Sequence, residues 1–285
     1  MTEVAAWASP NDGADGMVLR PLQEALPIRL IATPRERFSV CSADELVADV
    51  IRRNVDDFDY FPVIERRSAD GGEVIGLFRT DLLHGEVNHQ GMIAEHYTPL
   101  CESNIIGADA SLLDFVRSAD KQGCRLLIAG ASISGLVSLS DLQQLPVRAA
   151  LFAAVTHLEM RMTQAIRRRY VSEAWRNRLN RSRRRKLEQA IRRATAGHAF
   201  VDALLMTQFC DKRDLLAMTF PQAIANEFVR DLEQIEALRN KIAHANEYAS
   251  TRDEAVEVCQ VVRTMDRWND ELTRVPSGPI GDAGE

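Results

Sequence analysis

Arg239, Asn240 and His244 fall in the stretch PQAIANEFVRDLEQIEALRNKIAHANEY, residues 221 to 248. An arginine supplies a permanent charge and a planar fork that fits phosphate oxygens. A histidine can take up or release a proton near neutral pH. An asparagine can orient either group or donate to a developing charge. Together these side chains suit chemistry on a phosphodiester. With 31 Arg and 6 His in 285 residues, chance gives roughly 0.65 Arg-x4-His pairs, and the chain holds three. Arg79/His84 falls in an expected strand-to-helix turn, and Arg193/His198 has Gly197 just before its His. Both read as accidents. Only the Arg239 pair lies within a strongly periodic segment.

The element that must carry these groups is a helix predicted over 221–248. Pro221 suits a first helical turn, and Phe228, Leu232, Ile235, Leu238 and Ile242 recur as one apolar stripe. Glu236, Arg239, Asn240, Ala243 and His244 fall on the adjoining arc. Asn240 and His244 are one turn apart on one face. Arg239 lies about 140° from His244, so one phosphate meets both only at the edge of a groove.

RNKIAH, late in a helical segment, resembles the HEPN superfamily (nucleotide-binding and ribonuclease helical domains). That family is marked by Arg, a polar residue, three more positions, then His. HLEMRM at 157–162 is similar to the acidic part of the family's first long helix, and FCDKRDLL at 209–216 to its third. The resemblance covers about residues 147 to 275. It implies a metal-independent endoribonuclease in which the ribose 2′-OH attacks the adjacent phosphate, with no cofactor required. Arg239 would hold the phosphate, His244 would act as acid or base, and Asn240 would orient them. Glu159 is a candidate partner for Arg239. The family usually builds its site between two subunits, so a homodimer is expected, with RNA degradation under stress or phage infection as the implied role. HEPN toxins that are targets of a nucleotidyltransferase tend to carry Tyr two residues after the His; Asn246 stands there instead.

Charge points to the same partner. Residues 161 to 193 hold thirteen Lys/Arg against Glu173 and Glu188, a net +11 in a chain of net charge −6, so the remainder carries −17. Such a block suits a polyanion, because phosphate contacts supply most sequence-independent affinity. Arg167, Arg168, Arg169, Arg183, Arg184, Arg185 and Lys186 are the candidate RNA-binding residues, with Tyr170 and Trp175 placed to stack on bases.

Upstream, from about 20 to 145, short strands alternate with helices. SADELVADVIRRN (42–54) reads as a helix, and YFPVIE (60–65) and EVIGLFR (73–79) read as strands around an SADGG turn. NIIGAD (104–109), SLLDFVRSADKQG (111–123), CRLLIAG (124–130) and ISGLVSLS (133–140) repeat that order. Each pass closes on Gly, apolar residues, hydroxyls and Asp, as GLFRTD and GLVSLSD, which indicates a duplication near 60 residues long. The repeat resembles a tandem pair of CBS domains, which commonly bind adenosine-containing ligands. By that resemblance Ser138 and Ser140 would meet phosphate and Asp141 would accept from ribose hydroxyls. In the first copy Thr80 and Asp81 remain. The turn is one residue shorter, and aligning the two Asp residues puts Phe78 in the place of Ser138. The alternative reading of both turns is ordinary helix capping by Ser/Thr and Asp.

The expected fold class is therefore α+β, an α/β CBS-type pair followed by an all-α HEPN-like bundle. Its segments are a disordered N-terminus (1–18, where Met17 is an alternative start), the sensor pair (19–145), the helical domain (146–274) and a disordered tail (275–285). Within the last domain, Pro146 starts a long helix, Gly197 ends another, residues 200–218 are helical, and Thr251 to Glu254 caps a final helix reaching about Leu272. The integrated expectation is a nucleotide-regulated endoribonuclease. The alternative from another class is a non-catalytic, ligand-sensing nucleic-acid-binding regulator. No run of 18 apolar residues spans a membrane, and the N-terminus lacks the features of a signal peptide. The five Cys are odd in number, scattered and without CxxC, so neither a disulfide framework nor a metal site is expected, and a cytoplasmic location is.

Overall fold

The computed structural model describes residues 26–65, 72–80, 91–197 and 201–274. The predicted disordered ends, Asp81, His84, His198 and most of the SADGG turn lie outside the described residues. The chain divides into two units, Leu26–Val147 and the part from Arg148 onward.

The first unit holds two four-stranded sheets of the same plan. Its elements are β1 (Thr33–Pro34), β2 (Cys41–Ser42), α1 (Val47–Arg53), β3 (Tyr60–Glu65), β4 (Glu73–Arg79), β5 (Thr98–Pro99), β6 (Ile105–Gly107), α2 (Leu112–Val116), β7 (Cys124–Ala129) and β8 (Ser132–Ser138). One sheet runs β2-β3-β4-β5 and the other β6-β7-β8-β1, each with a parallel first pair and an antiparallel hairpin. The duplication is thus visible as topology. In each sheet one of the two edge strands is a Thr-Pro dipeptide lent by the segment preceding the other copy: Pro34 faces Gly135 and Pro99 faces Gly76. Proline tolerates an edge because it has no N–H to pair. The close crossing also explains the glycine that opens GLFRTD and GLVSLSD. A Cβ on Gly135 would lie 2.8 Å from the Thr33 carbonyl oxygen, and one on Gly76 would run into that of Thr98.

The helix expected over 42–54 starts only at Val47, because Cys41 and Ser42 pair with Val63 and Ile64. Val47 and Val50 are buried with Phe61, Val63, Phe78 and Ile93 in the first copy's core. Leu112, Leu113, Phe115 and Val116 are the buried face of α2.

The second unit is helical: α3 (Leu145–Arg169, whose first three residues belong to the first unit), α4 (Arg181–Ala196), α5 (Phe209–Ala217), α6 (Gln222–Ala243) and α7 (Arg252–Arg274). Along α3, Leu151, Val155, Leu158 and Met162 are buried, the periodic face read from sequence. Asn180 caps α4, its Oδ1 accepting from the Arg183 N–H at 2.9 Å. The helix expected over 200–218 forms only from Phe209, where Gln208 and Asp211 make a capping box. All five residues of the α6 stripe are buried. Phe228 meets Trp268 of α7 edge-on, centroids 4.9 Å apart. The Trp268 Nε1–H donates to the buried Asp231 at 3.0 Å, which meets the indole's need for an acceptor in the core.

Candidate functional site

The helix carrying the Arg-x4-His element ends at Ala243, short of the expected Tyr248, and His244 is its C-cap. The His244 N–H donates to the Asn240 carbonyl at 3.2 Å, Ala245 turns left-handed at φ 56, and the Asn246 N–H returns to the Lys241 carbonyl at 3.0 Å. That is the pattern with which helices commonly stop, normally on Gly. Here a Cβ occupies the left-handed position. Ala245→Gly is therefore expected to stabilise the protein by about 1 kcal/mol, seen as a higher urea midpoint at unchanged m-value.

The chain reverses so that Tyr248, 1% exposed, can enter the core. Asn240 and His244 stay exposed and Arg239 is half-buried. Arg239 Nη1 donates to Asn240 Oδ1 at 3.2 Å, joining the guanidinium to the neighbouring amide. The imidazole of His244 has no partner among the described residues. The structure thus sets the three side chains on the solvent-facing last turn of one helix. It gives Glu159 another duty than the expected one, since its Oε1 accepts from Lys212 Nζ at 2.8 Å. Lys212, itself 2% exposed, is held on the other side by the Thr207 carbonyl at 2.9 Å.

The basic segment is only partly available. Arg167 pairs with Asp202, Arg168 donates to the Leu272 carbonyl at 2.7 Å, and Arg169 to that of Thr219 at 3.3 Å. Arg183 reaches Asp211 at 3.3 Å and also bonds Gln208. These four arginines are spent on contacts within the helical unit. Tyr170 and Trp175 do not stack on anything outside the fold, being 7% and 3% exposed, and the Tyr170 hydroxyl donates to the Leu215 carbonyl at 2.9 Å. Arg184, Arg185 and Lys186 have no partner among the described residues, and neither do Arg181 and Arg192. At 100° per residue, Arg181, Arg185 and Arg192 form one stripe on α4 turned away from the buried Leu187, and Arg184 lies between that stripe and Leu187.

In the first unit, the turn after β8 is built by its own side chains. Asp141 Oδ2 accepts from the Ser138 N–H at 2.7 Å and from its hydroxyl at 3.3 Å, while Oδ1 accepts from Gln144 Nε2 at 2.8 Å. Ser138 and Ser140 share a hydroxyl–hydroxyl bond of 2.7 Å. Burial pushes the Asp141 carboxyl above the usual carboxylate range, and the bonds from Ser138 and Gln144 oppose that rise. A carboxylate has about four lone-pair directions, so acceptor capacity remains for hydroxyls of a ligand.

The corresponding turn of the first copy differs from expectation. Strand register places Arg79 opposite Tyr60 as it places Ser138 opposite Cys124. Arg79, not Phe78, therefore stands at the Ser138 position, and Phe78 is fully buried, as Val137 is. The missing residue is lost from the turn, not from the strand. Thr80 turns its hydroxyl onto the Phe58 carbonyl at 2.7 Å.

One residue that contacts the end of α6 was not singled out by the sequence. Arg148, on α3, donates to the carbonyls of Ile242 at 2.9 Å, Lys241 at 3.3 Å and Asn246 at 2.7 Å, and lies over the Tyr248 ring at 4.9 Å. Nothing in local spacing announces a contact across more than ninety residues.

No family model matches the chain, and no curated protein matches it. Solved structures are similar over the first unit. The CBS domain of the bacterial CNNM/CorC family Mg2+ transporter in complex with ATP aligns at 17% identity and TM-score 0.37, covering 47% of this chain and 94% of that one. A hemolysin-like protein containing a CBS domain from Oenococcus oeni PSU aligns at 17% identity and TM-score 0.34, over 42% and 93% of the two chains. CBSX2 in complex with AMP aligns at 17% identity and TM-score 0.34, over 44% and 96%.

Proposed function

We propose that the chain is a nucleotide-regulated endoribonuclease: a CBS-type sensor followed by a HEPN-like catalytic bundle. The observation that carries the nuclease half is the shared end of α6, with Arg239 tied to Asn240 and, one turn on, an exposed imidazole that has no partner among the described residues. In the reaction a base removes the proton of the ribose 2′-OH as its oxygen attacks phosphorus. The bond from phosphorus to the 5′ oxygen breaks, and an acid returns a proton to that oxygen. The products are a 2′,3′-cyclic phosphate and a 5′-OH. His244 serves as acid or base, Arg239 neutralises the phosphoryl charge, and Asn240 orients the guanidinium. A homodimer that brings a second Arg239/His244 face to the same phosphate completes the pocket. Incubating labelled RNA with the protein in EDTA tests this, with Arg239→Ala and His244→Ala as controls.

The sensor half rests on the duplicated sheet and on the hydroxyl–carboxylate turn Ser138, Ser140, Asp141, which suits an adenosine nucleotide through its phosphate and ribose.

The free stripe on α4 favours a second reading, a non-cleaving RNA-binding regulator with the same sensor. RNA bound but never cut, with or without AMP or ATP, would establish it. Both readings share one expectation. Replacing Arg184, Arg185 and Lys186 by Gln should flatten the slope of log affinity against log salt by about 2, since each single-strand phosphate contact contributes about 0.7. Arg168→Gln, at a residue committed to the Leu272 carbonyl, should leave that slope unchanged. Equal slopes for wild type and triple variant would remove α4 from the interface.

A further inference from the structure

A helix end leaves its last carbonyls without partners inside the helix. On α6 this matters more than usual, because the residue at the end is His244 and its imidazole has no partner of its own among the described residues. Only the backbone from 243 to 246 sets the direction in which that ring points. The same backbone carries a strained position, Ala245 at φ 56, where a non-glycine residue costs about 1 kcal/mol. The bond from the Asn246 N–H to the Lys241 carbonyl closes the reversal locally, and a side chain from another helix also holds it. Arg148 does so from both sides, with Lys241 and Ile242 before the turn and Asn246 after it.

The chemistry of the brace fits arginine. One planar fork with five N–H donors reaches three carbonyls at once, which an ammonium cannot do in fixed geometry. Its positive charge also faces the negative end of the helix dipole. Beneath it, Tyr248 gives a buried aromatic face, and burial holds that phenol neutral by pushing its pKa up to about 12, with Arg148 opposing the rise. Arg148 is anchored in turn by its place on α3 between the buried Val147 and Leu151.

We propose that Arg148 is a positioning residue for the nuclease chemistry. The role rests on the reading of His244 given above. By gripping the carbonyls of Lys241, Ile242 and Asn246, its guanidinium fixes the left-handed exit from α6 and so the line along which His244 is presented to a phosphodiester. Arg148 does not touch the phosphate itself. Its loss therefore slows the chemical step and leaves RNA binding nearly as it was.

The full-length protein is compared with Arg148→Ala and Arg148→Lys in single-turnover cleavage of labelled RNA in EDTA, with amide exchange at Asn246 followed in parallel. In Arg148→Ala the rate at saturating RNA should fall by about tenfold to hundredfold, the upper figure being the cost of misplacing a reacting group by about 1 Å. The RNA concentration for half-maximal rate should stay within about twofold, and the Asn246 amide should exchange faster. Millimolar guanidinium should restore part of the rate to Arg148→Ala and none to His244→Ala. Arg148→Lys, which keeps the charge without the fork, should remain slow, and it carries the test if the alanine variant melts below assay temperature. Cleavage at the wild-type rate in either variant overturns the proposal, and so does a loss that appears only below saturating RNA. A wild-type protein that cuts no RNA removes the nuclease reading and this role with it. An active wild type with an unimpaired Arg148→Ala removes this role alone.

Discussion

RNA that the wild-type protein cuts in EDTA should survive His244→Ala, with the cleavage rate falling by about 10² to 10⁴, the usual contribution of a positioned acid or base. Arg239→Ala should cost about 10² to 10³, the range for removing one preorganised donor to developing charge. Arg239→Lys should recover little, because an ammonium is a point charge and cannot present two parallel donors. If both side chains act on one phosphate, the double variant should be hardly slower than the worse single one. Neither change should lower the melting temperature appreciably, since His244 is exposed and Arg239, among the described residues, bonds only an exposed neighbour; surface substitutions of that kind stay within about 0.5 kcal/mol. A His244→Ala protein that cuts as fast as wild type would end the nuclease reading, whatever its Arg239 variant does. Asn240→Ala should fall between, because it removes the acceptor that steadies Arg239 and not a reacting group.

What was legible beforehand follows period and repetition. The stripe Phe228, Leu232, Ile235, Leu238 and Ile242 recurs at helical spacing, and each member is buried. The two hairpins announced themselves as apolar runs ending in the same Gly-to-Asp phrase. The edge strands did not, because Thr33–Pro34 and Thr98–Pro99 are two residues each, too short to show alternation. Helix ends depart from the sequence expectation where a long-range partner decides them. Nothing near Ala245 in sequence says that the helix stops, since the left-handed residue is not Gly and the brace comes from Arg148. The basic run offers fewer available charges than its count implies, for a related reason. Sequence counts charges but cannot tell Arg168, spent on the Leu272 carbonyl, from Arg185, which faces solvent. Tyr170 and Trp175 were read as surface rings because they stand among arginines, yet both are core residues between helices.

The sensor turn allows a cleaner separation of roles than an alanine scan would. Asp141 has a structural task, accepting from the Ser138 N–H and from Gln144, and a proposed binding task, accepting from ribose hydroxyls. Asp141→Ala removes both and would cost about 1 kcal/mol of capping besides any affinity. Asp141→Asn keeps an acceptor for the Ser138 N–H while discarding the charge. Hydrogen bonds to a charged group are worth about 1.5 to 3 kcal/mol, so calorimetry with AMP or ATP should show affinity falling about tenfold to hundredfold in Asp141→Asn, with the free protein losing the bond from Gln144, about 1 kcal/mol, and keeping the one from the Ser138 N–H. Asp81→Asn, in the copy whose turn is a residue shorter and presents Arg79 where the other presents Ser138, should cost less. If Asp81→Asn costs more, the nucleotide is held by the first copy, and the arginine at its strand end becomes the group that meets phosphate. If neither change alters binding, the carboxylate at 141 is a cap and nothing else, and the bonds it already makes to Ser138 and Gln144 account for its presence in full.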